Sequence, residues 1–174
     1  TLTTSSAASD VYKRQLVLHA DGAVTGGSDQ IKIWTINVDW ENSENTTVST
    51  PESLYTTPYN AYFDGGDLEV NLTQMNGTDM TAGTHMISNQ SQFRKFANHN
   101  SALVNFTVNA LSQSPSSPTE QAGIRWIELR QDGDGDPWYI YQEGTYVAPD
   151  GKHAIYGSMA CLLYTSDAAD EVVS

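Results

Sequence analysis

Cysteine is almost missing from this sequence, and the single one, Cys161, lies near the C-terminal end. One thiol cannot build a disulfide framework, so the small stapled scaffolds of secreted mini-domains are excluded, as is a multi-thiolate metal site. Positive charge is scarce too, with 8 Lys and Arg against 21 Asp and Glu. The formal net charge of −13 argues against nucleic acid or an anionic membrane surface as partner, because binding phosphates by counterion release needs a positive surface. No apolar run is long enough to read as a membrane-crossing helix, so membrane insertion is not expected. Helical periodicity is lacking as well, and no helix longer than a turn or two is expected.

The two ends carry a signature written in the genetic code. Thr1 to Gln15 has a legal coding string whose reverse complement, read one base out of frame, runs TGT CTC TTA TAC ACA TCT GAC GCT GCC GAC and onward. It translates as Cys161 to Ser174 without mismatch. Segments that are inverted complements of each other are one DNA tag on both ends of an insert, and the centre of this tag matches a common transposase-type library adapter. Residues 1–15 and 161–174 are therefore read as translated adapter and set aside, as expression tags are. Residues 16–160 are read as a window from a longer frame, in which the lack of a signal peptide or anchor carries no information. Cys161 belongs to the tag. The tags also hold Asp10, Asp167, Asp170 and Glu171 against Lys13 and Arg14, so all but two units of the net charge fall within the window. Its length suits one domain with a modest core.

Within the window the pattern is strand-like throughout. Gln30 to Trp40 (QIKIWTINVDW) is rich in β-branched and aromatic residues, has apolar side chains on both alternating faces, and reads as an interior strand. Pro51 and Pro58 break Thr46 to Tyr62 into an edge strand and a loop. Asp64 to Gly83 is polar and reads as an extended surface connection with room for one short strand at Leu68 to Leu72. Gln92 to Ala97 and Ala102 to Ala110 flank a turn at Asn98 to Ser101 and predict a hairpin. After the Pro/Ser loop Ser112 to Thr119 come a third run, Ala122 to Arg130, an Asp/Gly turn and a fourth run, Trp138 to Gln142. Consecutive hairpins of short strands predict an all-β antiparallel meander, either a partial β-propeller or a β-sandwich.

Gln121 to Ala148 (QAGIRWIELRQDGDGDPWYIYQEGTYVA), leading to Gly157 to Ala160, resembles a pattern in large secreted bacterial proteins of β-propeller type. Those proteins carry AGIRWYELR, a variable hairpin, VYQQGTYAP and a WMGSIAMD-like strand. Ile31 to Pro51 and Phe93 to Val108 resemble further strands of the same proteins. This resemblance implies a partial propeller, remaining blades elsewhere in the parent chain, and an address outside or on the surface of a bacterial cell. It implies no catalytic residues. Ala154-Ile155-Tyr156 depart from it, standing where a basic-aromatic-Met run is usual.

Candidate chemistry is sparse. Asp132, Asp134 and Asp136 have the alternating-oxygen spacing that opens calcium loops. Pro137, however, stands where a Gly is usual, and Asp and Gly are also the favoured residues of a plain turn. Calcium is therefore a secondary expectation and no other cofactor is expected. His19, His85, His99 and His153 are scattered, with no metal-ligand spacing, and His99 is expected to bond backbone in its turn. There is no nucleophile elbow around Ser158. Asn-x-Ser/Thr triplets at Asn45, Asn71, Asn76, Asn89 and Asn105 follow from composition and imply no glycosylation. Arg125, Trp126 and Glu128 form the cluster of most interest, because an acid, a base and an aromatic on one strand could bind or hydrolyse a sugar. Period-two alternation, however, puts Arg125 and Glu128 on opposite faces, with Trp126 as core or inter-blade packing. These features point to a non-catalytic extracellular binding or scaffold module, with polysaccharide among its possible partners. The competing expectation is a fragment of a carbohydrate-active propeller enzyme, a glycoside hydrolase or sialidase-like.

Overall fold

A computed structural model describes residues 13–22, 26–63, 69–73, 77–84, 86–87, 89–112 and 120–160. Most of the two presumed adapter segments, 1–12 and 161–174, lies outside them, as do most of the Pro/Ser loop and His85. Strands dominate the described residues, and the sheets are antiparallel. One 3-10 turn, Ser43–Asn45, stands in the loop after the second strand, capped by the Asn42 side chain.

The first sheet is built on β2 (Gln30–Asn37). It pairs with β1 (Lys13–Ala20) on one side and with both β3 (Thr47–Val48) and β4 (Glu52–Tyr55) on the other. Pro51 interrupts what would otherwise be one edge strand, because it cannot donate to a ladder. Lys13 to Gln15, assigned above to the adapter, continue β1 in register with Asn37 to Thr35.

The polar stretch from Asp64 onward behaves differently from the reading given it. It forms a two-stranded hairpin, β5 (Glu69–Thr73) and β6 (Asp79–Gly83), where one strand was expected. Gly77 in the connection has φ +78, a left-handed conformation open to glycine at no steric cost. The apolar signal for the second strand is weak because Leu72 carries the burial, together with Phe63, Ala122 and Ile155. Ile155 belongs to the tripeptide that departs from the propeller pattern. Its neighbour Tyr156 accepts a hydrogen bond from the Gly83 N–H and donates to the Thr81 carbonyl, each at 3.2 Å.

The second sheet is an uninterrupted meander of β7 (Gln92–Lys95), β8 (Asn100–Asn109), β9 (Ala122–Gln131) and β10 (Tyr139–Tyr146), neighbours in sequence being neighbours in space. The predicted β7–β8 hairpin is present. Its turn closes with the Phe96 N–H bonded to the His99 carbonyl, and the His99 ring stacks on Phe96 at 4.7 Å instead of bonding backbone. The fourth strand runs on to Tyr146, four residues beyond the expected end, with a bulge between Ile140 and Gln142. Gly157 to Ala160, expected as a strand, form no ladder. That segment lies against the second sheet instead, with Gly157 so close to Ile124 that a Cβ there would fall 2.7 Å from its side chain.

The two sheets pack face to face. Ile31 and Ile33 of β2 meet Ala102, Val104, Phe106 and Val108 of β8 and Ile127 and Leu129 of β9, with Tyr59 and Trp138 closing the ends. Phe106 stands edge-on to Tyr59 at 5.1 Å. Each fully buried side chain of this size contributes roughly 1.5–3 kcal/mol relative to exposure. Polar links staple the sheets together. The Trp138 N–H donates to Glu52 (2.9 Å) and the Thr57 N–H to Glu143 (2.9 Å), while the Ala61 N–H donates to Asp21 (2.8 Å) and ties the segment after β4 to the end of β1.

Phe106 is 1% exposed at the centre of this interface. Phe106→Ala is expected to cost about 3–5 kcal/mol of stability through lost burial and the cavity left behind. Denaturant unfolding of the two chains measures it, and a loss below about 1 kcal/mol would mean that the sheets do not pack in this way.

Candidate ligand-binding face

Because β9 is an interior strand, its neighbours hold both of its faces in register. Arg125, Ile127 and Leu129 pair across with Phe106, Val104 and Ala102 and point into the core between the sheets. Ile124, Trp126, Glu128 and Arg130 alternate to the outer face. Arg125 and Glu128 therefore lie on opposite sides of the sheet, as their three-residue spacing requires, and the structure does not bring them together.

Arg125 is 7% exposed. Its guanidinium donates to Glu143 (2.5 Å), to Thr145 (3.2 Å) and to the Thr57 side chain, while Glu143 also accepts from the Thr57 N–H. A cavity of about 270 Å³ opens beside it between Tyr59, Asn109, Ser112 and Thr145. Burial pushes the Tyr59 hydroxyl well above the usual tyrosine range, and the charges of Asp29 and Asp21 push it further. That hydroxyl therefore stays protonated. Arg125 is thus a clamp joining β9 and β10 to the segment after β4. Sequence reasoning missed Glu143 and Thr57, its partners, because they lie on other elements, one of them 68 residues away in sequence.

On the outer face Glu128 is 7% exposed and fully engaged. Its Oε1 accepts from Arg130 Nε (2.7 Å) and the Ser101 hydroxyl (3.1 Å), and its Oε2 from the Gln142 amide (2.7 Å). Burial raises the carboxyl pKa. The hydrogen bonds from Arg130, Gln142 and Ser101, together with the Arg130 charge, outweigh that and hold it below the usual carboxylate value. A carboxylate so held is ionised at neutral pH and is a poor general acid. The nearest partner carboxylate in sequence register, Glu143, belongs to the opposite face, so the two do not flank a common bond as the acids of a glycosidase must.

The aromatic side chains of this face are more exposed than its acid. The Trp126 indole lies over Gly144, where a Cβ would fall 2.9 Å from ring carbon Cζ2 and 3.1 Å from Nε1. Only glycine allows that approach. Tyr141, 51% exposed, has the Arg130 guanidinium 3.3 Å from its ring centroid. Tyr146, paired opposite Ile124, is 56% exposed. Tyr139 donates its hydroxyl to Asp132 at 2.9 Å. The bulge at Tyr141 sets it beside Tyr139 near Arg130, re-aiming a side chain as bulges do. Trp126 was expected to pack in a core or between blades, and in this structure it is partly exposed. Tyr141 and Tyr146 were not singled out from sequence; alternation from Gly144 is the signal that could have found Tyr146, whereas the bulge takes Tyr141 out of that period.

The Asp132, Asp134 and Asp136 turn divides its carboxylates among separate partners. Asp132 takes the Tyr139 hydroxyl, and Asp134 takes Lys95 (2.5 Å) and the Asn100 amide (2.8 Å). Asp136 folds back over Gly133. No group of three or more His, Cys, Asp and Glu residues converges as a metal site among the described residues. His153 instead accepts the Ala122 N–H through Nδ1 at 3.0 Å. Asn105, within one of the Asn-x-Thr triplets, is 5% exposed on the outer face.

A scan against protein-family models returned no match. Searches of the curated proteins and of the solved structures returned none either.

Two predictions follow from the charged groups. Arg125→Ala leaves the partly buried Glu143 without its cation and is expected to cost about 3 kcal/mol in thermal unfolding. An unchanged melt would show that the clamp carries no stability. For Glu128 the folded pKa is lowered, so its ionisation stabilises the fold above the unfolded pKa. That contribution is lost as pH falls through the folded value. The melting-temperature gap between the parent chain and Glu128→Gln should therefore be widest near neutral pH and close on acidification. A gap that widened on acidification would contradict the network described for Glu128.

Proposed function

We propose that this chain is a non-catalytic extracellular binding module carried by a secreted bacterial protein, whose outer β9–β10 face binds polysaccharide. The observation that carries this reading is the pairing of two aromatic platforms backed by the protein on one side. Trp126 rests on Gly144, and Tyr141 is stacked against Arg130. Aromatic rings held in this way give a ligand large contact area at low entropic cost. Sugars present C–H faces to such rings and hydroxyls to the amides and carboxylates around them.

The meander order of β7 to β10 and its packing, face to face, on a second antiparallel sheet suit the layers of a sandwich, whose outer faces stay open to a ligand. In a closed propeller, the fold that the motif resemblance over Gln121 to Ala148 implies, a neighbouring blade would cover this face, so the binding reading goes with the sandwich. The non-catalytic part rests on Glu128, whose oxygens are occupied by three donors of the protein itself.

Tryptophan fluorescence titration against a panel of plant and microbial oligosaccharides tests the binding face. Trp126→Ala is expected to weaken binding about tenfold or more, the cost of removing an aromatic anchor. Gly144→Ala, which forces the indole off its seat, should act in the same direction. Trp40→Ala, a change at a residue 72% exposed in a loop of the other sheet, should have no effect. Equal affinities for all three variants would overturn the assignment of the face.

A further inference from the structure

Resting on that reading, we infer that the polysaccharide recognised by the β9–β10 face is uncharged and extended, an unbranched chain lying along the strand direction. Three observations carry this. The first is the line of the platforms. Tyr141 stands at the level of Arg130, and Trp126 lies four residues earlier on the same strand with its ring over Gly144. At about 3.3 Å per residue the two platforms are separated by roughly 13 Å along β9. A ligand touching both must stay extended over several sugar units, and a coiled chain would turn away between them.

The second observation is what lies between the rings. Gln142 pairs across from Glu128 and is exposed, and one of its two amide N–H groups is donated to the Glu128 carboxylate. Its amide oxygen takes no hydrogen bond from the described residues and is left to accept from a sugar hydroxyl. The group between the rings is thus uncharged, offering an acceptor and one remaining N–H donor to sugar hydroxyls and no charge to draw an anion.

The third observation is charge. Arg130 on this face is held by Glu128 and stacked on Tyr141, so its charge is already matched. Arg94, opposite Ser101 on β7, is a second cation of the same face. At the same end of the sheet, however, stand Asp132, Asp134 and Asp136, and the chain as a whole carries a formal charge of −13. A polyanion such as a uronate chain would approach against that field, whereas an uncharged glycan is indifferent to it.

The test uses the full chain and three probes: cellohexaose as an extended neutral oligomer, maltohexaose as a coiled neutral one, and polygalacturonate as a polyanion. Calorimetric titration is expected to show binding of cellohexaose that is insensitive to salt and weaker by about tenfold or more in Trp126→Ala and in Tyr141→Ala. Cellobiose, too short to reach both rings, should bind at least tenfold more weakly than cellohexaose. Maltohexaose binding as tightly as cellohexaose would overturn the extended-chain inference. Polygalacturonate binding more tightly, with affinity that falls as salt rises and is lost in Trp126→Ala, would overturn the neutral-ligand inference and leave the binding face standing. Binding of none of the three, or binding untouched in both aromatic variants, would overturn this inference and the proposed face together.

Discussion

The burial of Ile127 and Leu129 against Ile31 and Ile33 fixes which side of β9 faces inward, and the two-residue period of a strand then decides the other side. Arg125 has to share the inner face with those aliphatic residues. A guanidinium there is tolerable only with counter-charge and hydrogen-bond acceptors close by, and Glu143, Thr145 and Thr57 supply them. Trp126, Glu128 and Arg130 have to share the outer face. The polar clamp between the sheets and the aromatic strip outside them are two consequences of a single packing constraint. A register slip of one residue in β9 would exchange them and bury the wrong set.

The division of charge across β9 also separates the chemistry between the sheets from that of the outer face. Arg125, buried, and Glu143, partly buried, are directed at each other, linking β9 and β10 to the loop after β4. Glu128, on the other face, spends its oxygens on Ser101, Arg130 and Gln142 and so ties β8, β9 and β10 together from outside. What remains uncommitted on that side is ring surface. An acid used as a brace and aromatics left to solvent suit a surface that holds a ligand without transforming it.

Much of this architecture was legible in the sequence. Alternation and turn chemistry placed β2, the β7–β8 hairpin, β9 and the start of β10, and the same alternation separated Arg125 from Glu128. The losses have identifiable causes. The second strand of the hairpin, Asp79 to Gly83, was missed because the hairpin's burial rests on Leu72 and on contacts with Ala122 and Ile155, distant in sequence, and local pattern cannot report those. The expected strand at Gly157 to Ala160 did not form, and the segment lies on Ile124 without pairing. Tyr141 was invisible as a site residue because a bulge, which leaves no mark in composition, turns it onto the face of Arg130. The partners of Arg125 belong to other elements, so the clamp appears only once the strands are paired.

On the proposed function, one face of one sheet meets a ligand. Hydroxyl-radical footprinting of the chain with and without a bound oligosaccharide reads that face directly, residue by residue. Protection is predicted at Trp126, Tyr141 and Tyr146, with Trp40 and Tyr55, exposed on the other sheet, oxidised equally in both states. Protection confined to Trp40 and Tyr55, or absent from the β9–β10 aromatics under saturating ligand, would contradict it.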